Sequence, residues 1–289
     1  MTIKWNRVTI IGCGLIGASF ALALRRADAC ARLAGWDSSP SVLDEALRRG
    51  VIDEVDGSFA SGCVSSSDLI YLAMPVGEII GFLRERGLQV KPGALVTDAG
   101  STKQEVCRAA REQFPKNHGF VGGHPVAGSH LTGLKHARAD LFTGAPYVLT
   151  TAEDERDRQE VFALEQTLGL FGARVMLMTA GEHDRAMALV SHLPQLVSSA
   201  LAATIKDQPD GVALISLSGA GYRDMTRLAD SSWLVWRDIL VTNPTLIAAA
   251  LDALLTKLTD VRNELHEYSE RAGTALGVTS VLFEESGRT

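Results

Sequence analysis

Three glycines near the N-terminus constrain the fold of this chain more than any other feature. Gly12, Gly14 and Gly17 directly follow the β-branched run 8–11, and the helix-forming segment 18–26 comes after them. A buried strand, a tight turn and a helix are therefore predicted in that order. In such a unit the first glycine permits the turn and the second lets another molecule approach the backbone. The third lets the helix pack closely against the strand.

An acidic residue after the second predicted strand extends this pattern. The segment 33–36 is predicted to be a strand, and it ends at Asp37. A glycine turn at a helix N-terminus binds pyrophosphate, and an acid at this spacing accepts hydrogen bonds from the adenosine ribose. The carboxylate would repel a 2′-phosphate, so NAD is the predicted cofactor, while Arg48 and Arg49 leave NADP open. Asp37 is also compatible with capping a helix that begins near Pro40. The predicted cofactor-binding residues are Gly12, Gly14, Leu15, Ile16, Gly17 and Asp37.

The first half of the chain continues to alternate strands and helices. The further predicted strands are 69–73, 94–97, 120–121, 147–150 and 174–178, and the predicted helices between them are 78–86, 102–114 and 153–171. Such alternation predicts an α/β fold with a Rossmann-type doubly wound parallel sheet. Beyond residue 180 helical periodicity takes over. We therefore expect a dinucleotide-binding domain at 1–179 and an all-helical domain at 180–289.

Composition narrows the classes of partner. With 28 basic and 34 acidic side chains the formal net charge is −6, which argues against a nucleic-acid-binding or anionic-membrane-binding surface. Four cysteines without a CxxC spacing predict neither a disulfide scaffold nor a metal site. The basic and apolar N-terminus is similar to an export signal, but its spaced glycines favour folded structure. We expect a cytoplasmic protein with a small-molecule substrate and no membrane-spanning segment.

Two polar residues follow predicted strands of the first half. Ligands of parallel sheets bind at the carboxyl ends of the strands, so Ser101 and His124 are candidates. Helix capping is the more economical interpretation of Ser101, because Thr102 and Glu105 complete an ordinary helix N-terminus. His124 lies between a glycine and a proline that restrict the backbone, and histidine is the natural proton acceptor near neutral pH.

The helical half carries two further polar groups. Ser191, His192 and Gln195 form a polar patch on an otherwise apolar helix, which Pro194 is expected to bend. Mutual hydrogen bonding in a core and ligand binding are equally compatible with this patch. After a glycine-rich turn, Arg223 and Arg227 suit recognition of a carboxylate, and a surface ion pair with Asp224 is the alternative for either arginine.

Four motifs taken in order resemble those of the prephenate/arogenate (cyclohexadienyl) dehydrogenase family of tyrosine biosynthesis. They are GSTK at 100–103, GGHPVAGS at 122–129, SHLPQ at 191–195 and GYRDMTR at 221–227, within a match from residue 8 to about 239. The resemblance implies a nucleotide-binding domain joined to a helical domain that binds substrate and forms a homodimer. It also implies NAD-dependent oxidative decarboxylation of prephenate, arogenate or both.

The resemblance further implies roles for individual residues. His124 would take the proton of the ring C4 hydroxyl, and Ser101 would hydrogen-bond that hydroxyl. Arg227 would bind a substrate carboxylate with Trp236 beside it and Arg223 assisting. Asp224 would hold Arg227 in place or bridge domains or subunits. The nicotinamide half of the cofactor site would be lined by Met74, Pro75 and Val76. The substrate-binding residues implied are Arg227, Ser191, His192, Gln195, Trp236 and Arg223.

One position departs from the family pattern. Many prephenate-using relatives have a histidine where this chain has Gln195, in a position that faces the substrate side chain. A neutral amide tolerates an ammonium group better than an imidazolium does. We therefore hypothesise that Gln195 broadens or shifts the preference toward arogenate. Without a regulatory segment after residue 289, any feedback by tyrosine is expected to be competitive.

Two alternatives remain at the level of sequence. A dehydrogenase of the hydroxyisobutyrate or phosphogluconate type would join the same nucleotide fold to a helical domain. Such enzymes use a lysine of the second domain, and Lys206 and Lys257 lie in no comparable motif. A catalytically inactive nucleotide-sensing protein would need none of Ser101, His124 and Arg227.

Overall fold

The computed structural model describes residues 4–56, 64–86, 89–114, 119–127, 132–270 and 276–286. Gly128 and Ser129 of the motif GGHPVAGS lie outside this part of the chain, as does Cys63. The remaining cysteines, Cys13, Cys30 and Cys107, are free thiols.

Eight strands form one sheet in the order β3-β2-β1-β4-β5-β6-β7-β8. The strands are β1 (Trp5–Ile11), β2 (Cys30–Trp36), β3 (Glu54–Val55), β4 (Leu69–Leu72), β5 (Leu95–Asp98), β6 (Gly119–Pro125), β7 (Pro146–Thr150) and β8 (Arg174–Met178). The predicted α/β fold followed by a helical region is confirmed, but the sheet is not wholly parallel, because β6 and β7 are antiparallel. A return in the same sheet needs no crossover helix when the strands are antiparallel. Between β6 and β7 the described residues include one short 3₁₀ turn, Leu134–His136.

Twelve helices accompany the sheet within the described residues. In the first part of the chain they are α1 (Leu15–Arg26), α2 (Pro40–Arg48), α3 (Val76–Arg86), α4 (Gln104–Gln113), α5 (Gln159–Leu170) and α6 (Ala180–Met187). The later ones are α7 (Leu193–Lys206), α8 (Gly211–Ser216), α9 (Ala220–Thr226), α10 (Trp233–Thr242), α11 (Pro244–Glu270) and α12 (Gly277–Ser286). The predicted helix at 153–171 is shorter in the structure, where a 3₁₀ turn (Glu153–Glu155) precedes α5.

The chain forms two compact units. The first comprises 1–187 with 230–243, and the second comprises 188–229 with 244–289. The first unit contains the sheet and the second is helical. The domain limits 1–179 and 180–289 remain a prediction.

Both faces of the sheet are buried, as a parallel sheet covered by helices requires. Ile10 and Tyr71 belong to one apolar cluster, whereas Ile11 and Leu72 belong to the other. This alternation follows from the two-residue period of a strand. It explains why the strands could be recognised as continuous apolar runs rather than alternating ones.

One helical stretch differs from the expectation that no segment could span a membrane. Ala180–Lys206 is long and apolar enough to do so by length and composition, and 22% of its most apolar window is buried. Core helices of water-soluble proteins satisfy the same criterion. A π-helical turn (Ala188–His192) lies within it and ends two positions before Pro194. Proline lacks the N–H that the regular helix would use here, which accounts for the irregular turn that the sequence predicted as a bend.

Candidate active site

The glycine turn between β1 and α1 has the geometry of a dinucleotide site. Gly12 has φ +93°, and a Cβ on it would lie 2.4 Å from the carbonyl oxygen of Ala73. A Cβ on Gly17 would lie 2.0 Å from the carbonyl oxygen of Gly12. By contrast, a Cβ on Gly14 would meet no described atom within 4 Å. The outer glycines are therefore required by packing, while the middle one leaves the backbone open at the N-terminus of α1.

Asp37 lies against this turn and fits the predicted ribose-binding role. Its carboxylate accepts the backbone N–H of Cys13 at 2.8 Å through one oxygen and that of Ser39 at 2.9 Å through the other. Each carboxylate oxygen can accept a second hydrogen bond, so capacity for ribose hydroxyls remains. The helix cap is Ser39 rather than Asp37, which corrects the capping interpretation of Asp37.

A buried ion pair connects the carboxyl ends of β5 and β6. Asp98, the last residue of β5, pairs with the ammonium group of Lys103, and both side chains are 0% exposed. The Asp98 carboxylate also accepts the backbone N–H groups of Gly100 and Gly123 at 2.8 and 3.0 Å. Lys103 Nζ donates a further hydrogen bond to the Gly123 carbonyl oxygen at 2.8 Å. A buried ion pair is tolerated when its remaining hydrogen-bonding capacity is filled in this way.

This ion pair fixes the backbone on which two predicted site residues lie. Ser101 is in the loop between Asp98 and Lys103, and His124 directly follows Gly123. Strands β1, β4, β5 and β6 are parallel neighbours, so the glycine turn, Ser101 and His124 lie at the same edge of the sheet. His124 is in β6, paired with Val148 of β7, rather than beyond the strand as the sequence predicted.

His124 contacts a second histidine that sequence reasoning did not select. His124 Nδ1 lies 2.8 Å from His183 Nε2, and the two rings meet edge to face. His183 Nδ1 lies 2.7 Å from Asp184 Oδ1. His183 and Asp184 are 0% exposed, whereas His124 is half-buried. The only sequence signal for this arrangement is an adjacent His and Asp at the start of an otherwise apolar helical stretch.

Asp184 also caps the N-terminus of α4. Its two carboxylate oxygens accept the backbone N–H of Lys103 at 2.7 Å and that of Gln104 at 2.9 Å. Lys103 is the N-cap of α4 and makes no side-chain capping bond, so the predicted cap from Ser101, Thr102 and Glu105 is wrong. The cap is supplied by a residue that is remote in sequence. Thr102 instead hydrogen-bonds Thr242, with 2.7 Å between their Oγ1 atoms.

Burial and hydrogen bonding set the protonation states of this cluster. Burial lowers the pKa of His183 below its ordinary 6.5, an effect that the Asp184 hydrogen bond only partly opposes. Burial raises the pKa of Asp184, but hydrogen bonds from His183 and the Gln104 N–H outweigh it, and the pKa falls below 3.8. At neutral pH the pair is therefore a neutral imidazole beside a carboxylate.

Met74, Pro75 and Val76 lie between β4 and the start of α3. A Cβ on Gly12 would lie 3.2 Å from Met74 Cγ, which places Met74 beside the glycine turn. At the start of α3 the backbone N–H of Gly77 donates to Asp238 Oδ2 at 2.9 Å. Asp238 belongs to α10, the helix that also carries the half-buried Trp236.

In the second unit, Gln195 connects α7 to the segment that carries Arg227. Its Nε2 donates to the Leu228 carbonyl oxygen at 2.7 Å and to Ser199 Oγ at 3.3 Å. Both amide protons thus have protein acceptors, which supports mutual hydrogen bonding as one function of the polar patch. His192 is buried and Ser191 is half-buried on the π-helical turn.

The two candidate arginines of this unit, Arg223 and Arg227, are exposed. Arg223 Nη1 donates to the Ser218 carbonyl oxygen at 3.1 Å. Across the part of the chain that the structure describes, Asp224 forms an ion pair with neither Arg223 nor Arg227, contrary to the expectation that it holds Arg227 in place. The alternative role of Asp224, bridging domains or subunits, stays a prediction. Likewise, among the described residues no cluster of three or more His, Cys, Asp or Glu side chains is arranged to hold a metal ion.

Comparison with known protein families agrees with these features along most of the chain. The model of the prephenate dehydrogenase nucleotide-binding domain matches residues 20–177, and that of the prephenate dehydrogenase dimerization domain matches residues 179–273. This chain belongs to the prephenate dehydrogenase family. It is therefore a dehydrogenase, and NAD is the cofactor that its glycine turn and Asp37 fit.

Individual relatives agree with this assignment. Prephenate dehydrogenase of Bacillus subtilis (strain 168) is 35% identical over 264 residues, which cover 91% of this chain and 71% of that protein. The structure of A. aeolicus prephenate dehydrogenase in complex with hydroxyphenyl propionate and NAD+ has 29% sequence identity and a TM-score of 0.88. It matches over 99% of this chain and 98% of its own. Synechocystis arogenate dehydrogenase has 29% identity and a TM-score of 0.79, over 97% and 98% of the two chains.

The family assignment decides between the prephenate dehydrogenase family and the hydroxyisobutyrate dehydrogenase type, which the sequence alone had left open. A hydroxyisobutyrate dehydrogenase of Mycobacterium tuberculosis shares the fold at 16% identity with a TM-score of 0.51, which is a likeness of fold alone. The sequence motifs and the family models both favour the prephenate dehydrogenase family instead.

Proposed function

We propose that this protein catalyses the NAD-dependent oxidative decarboxylation of prephenate, arogenate or both. The products are 4-hydroxyphenylpyruvate from prephenate and tyrosine from arogenate. The observation that carries the proposal is the half-buried imidazole of His124, which lies at the same sheet edge as the glycine turn and is backed by a buried acid through a second histidine. A proton acceptor held in this way suits oxidation of a ring alcohol.

NAD, when bound, supplies the oxidising group for the reaction. The residues proposed to hold it are Gly12, Gly14, Leu15, Ile16, Gly17, Asp37, Met74, Pro75 and Val76. With NAD bound, the open backbone at Gly14 would hold the pyrophosphate, the Asp37 carboxylate would accept hydrogen bonds from ribose hydroxyls, and Met74 would line the nicotinamide half of the site.

The chain's own residues then act on the substrate ring. His124 takes the proton of the C4 hydroxyl as C4 is oxidised, and Ser101 hydrogen-bonds the same hydroxyl and orients it. The C1 carboxylate leaves as CO2, and the electron pair of the broken C–C bond passes through the ring to the C4 oxygen, so that the ring becomes aromatic. That oxygen takes the proton back from His124 to give the phenol. Aromatisation provides the driving force, so the protein contributes positioning, proton acceptance and anchoring of the carboxylates.

The remaining candidate residues are assigned to substrate recognition. We assign the substrate carboxylate to Arg227, whose exposed guanidinium provides a planar pair of donors. Arg223 and Trp236 are proposed to assist, together with Ser191, His192 and Gln195 of the polar patch. Gln195 Nε2 donates its protons to Leu228 and Ser199. We therefore expect the arogenate ammonium to donate to Gln195 Oε1.

We further propose that the protein is a cytoplasmic homodimer. The second family model describes a dimerization domain at 179–273, and large apolar side chains are exposed on α11 and on α12, which follows that match. They include Leu255, Leu258, Val278, Val281 and Phe283. A second copy of the chain would remove this surface from water.

An absorbance assay of reduced nicotinamide tests the proposal directly. Prephenate and arogenate are each combined with NAD and with NADP, and initial rates are measured over a range of substrate concentrations. We expect turnover with NAD and at least one of the two substrates, and much weaker turnover with NADP because Asp37 repels the 2′-phosphate. Absence of turnover with either substrate, in protein that binds NAD, would overturn the proposal.

A further inference from the structure

The His124–His183–Asp184 chain of contacts has a direction that follows from its acidic end. Asp184 Oδ1 lies 2.7 Å from His183 Nδ1, and the lowered pKa of Asp184 keeps it an ionised acceptor at neutral pH. An ionised carboxylate only accepts hydrogen bonds. His183 Nδ1 must therefore carry a proton, since an unprotonated nitrogen would point its lone pair at the carboxylate.

The second nitrogen of His183 is then without a proton as long as the ring is neutral. The charged groups that act on this ring are Asp184, Asp98 and Lys103, and their net effect together with burial is to lower the pKa of His183. Asp184 does not require an imidazolium partner, because it also accepts two backbone N–H groups at the positive end of the α4 dipole. His183 Nε2 is consequently a hydrogen-bond acceptor.

The same reasoning fixes the tautomer of His124. Its Nδ1 lies 2.8 Å from His183 Nε2, so Nδ1 has to be the donor of that hydrogen bond. In a neutral imidazole only one nitrogen carries a proton, and the hydrogen bond of one nitrogen decides the state of the other. A proton on Nδ1 leaves Nε2 of His124 as the basic nitrogen.

We propose that His183 and Asp184 are positioning residues that hold His124 as its Nδ1–H tautomer, which makes Nε2 the atom that accepts the substrate proton. The catalytic consequence rests on the proposed function, whereas the tautomer itself is a property of the free protein. The arrangement also limits rotation of the His124 ring, because its Nδ1 is tied to a side chain that is 0% exposed.

The buried Asp98–Lys103 ion pair holds the backbone next to His124, in addition to the contact that holds its ring. Asp98 and Lys103 hold the backbone N–H and carbonyl oxygen of Gly123, the residue before His124. Asp184 accepts the N–H of Lys103, so the acid that orients His183 also holds the loop that bears the lysine. The base is thus fixed through both its ring and its backbone.

The tautomer can be measured without substrate. Protein labelled with ¹⁵N in its histidine side chains is studied by long-range ¹H–¹⁵N correlation NMR at neutral pH, and His124 is assigned by loss of its signals in His124→Asn. We expect a protonated, pyrrole-type Nδ1 and an unprotonated, pyridine-type Nε2. His266→Gln, which changes an exposed histidine of α11 that is 83 positions beyond His183 in sequence, serves as the control and should leave both signals in place.

Two substitutions of His183 test the positioning role. His183→Leu removes the acceptor, and we expect His124 to lose its preference for Nδ1–H and kcat to fall about 10- to 100-fold with little change in KM. In His183→Gln the carboxamide oxygen can accept from Nδ1, so part of the loss in kcat should be restored. NAD binding and thermal unfolding identify any variant that does not fold. If His183→Leu fails to fold, the wild-type and His183→Gln spectra decide the matter.

The possible outcomes separate this inference from the proposed function. A proton on His124 Nε2 in the wild type would overturn the inference even if the enzyme is fully active. A folded His183→Leu with unchanged kcat and unchanged His124 signals would overturn it as well. Wild-type protein with the expected tautomer but no turnover of either substrate would instead remove the proposed function and leave the tautomer assignment in place.

Discussion

The polar residues of the two units differ in how strongly the protein fixes them. In the first unit Asp98, Lys103, His183 and Asp184 are 0% exposed, and hydrogen bonds from several elements hold them. In the second unit Arg223 and Arg227 are exposed, and Gln195 is the polar side chain that ties their segment to a neighbouring helix. Taking up a proton requires one orientation and one tautomer, which a saturated buried network provides. Binding an anion requires a charge and a fork of donors, which an exposed guanidinium already carries.

The largest effect expected from this comparison is loss of the proton acceptor. His124→Asn should lower kcat about 10²- to 10⁴-fold, because general base catalysis contributes about this much, while KM changes little. Steady-state kinetics with the preferred substrate measures both parameters. A fully active His124→Asn would show that the proton acceptor is another group.

The next effect concerns stability. Asp184→Asn keeps the shape of the side chain, but at least one of the three N–H donors then faces the NH2 group of the amide instead of an acceptor. We therefore expect the free energy of unfolding to fall by about 2–3 kcal/mol at neutral pH. Urea unfolding measures it. The exposed Asp207→Asn is the control and should change stability by less than about 0.5 kcal/mol.

The pH dependence of this stability difference has a definite sign. The folded-state pKa of Asp184 lies below its ordinary 3.8, so its contribution is complete above that pH and is lost as the pH falls through the folded-state value. The folded-state pKa of His183 is below 6.5, so as the pH falls His183 takes up a proton in the unfolded chain before it does so in the folded protein. The gap between wild type and Asp184→Asn should therefore narrow below about pH 4. A gap that is constant down to acid unfolding would contradict the assignment of Asp184 as a buried carboxylate.

A smaller effect is expected at the exposed guanidinium. Arg227→Ala should raise KM about 10- to 100-fold with a lesser effect on kcat, because a charge-assisted hydrogen bond to the substrate carboxylate is removed in both the bound and transition states. Arg227→Lys keeps the charge without the fork, so it should restore only part of the affinity. An effect of Arg227→Ala confined to kcat would place Arg227 with the proton-transfer residues and break the contrast between the two units.

The smallest effect is a change in substrate preference. Gln195→His should move the ratio of kcat/KM for prephenate over arogenate about 3- to 10-fold toward prephenate, a difference of at most about 1.4 kcal/mol. Both substrates are measured in wild type and variant. Since Gln195 also holds the Leu228 carbonyl, an equal loss for both substrates would show that Gln195 has only a structural role.

Local patterns account for the elements that could be predicted. The strand β1, its glycine turn and α1 follow from a β-branched run, three glycines and a helix-forming segment, all of them short-range signals. The strand β3 was missed because it has two residues, Glu54 and Val55, and therefore no periodicity. The antiparallel β7 could not be distinguished from a parallel strand, because both directions have the same apolar pattern.

The site was predicted where its residues stand in motifs and missed where partners come from remote segments. Ser101 and His124 follow predicted strands, so the rule for carboxyl ends of parallel strands selected them. The capping interpretation of Ser101 was wrong because the α4 N-terminus is capped by Asp184, about 80 residues away in sequence. Nothing in the local sequence of α4 reports that acceptor.

By itself the sequence determined the cofactor turn, the family and the identity of the candidate base, because each depends on residue types at fixed short spacings. The tertiary structure decided which ring nitrogen of His124 is held by the protein. His124 and His183 are 59 positions apart, and their contact forms only when β6 and α6 are packed in the first unit. A tautomer depends on the partner at 2.8 Å, and that partner is chosen by packing rather than by sequence neighbours.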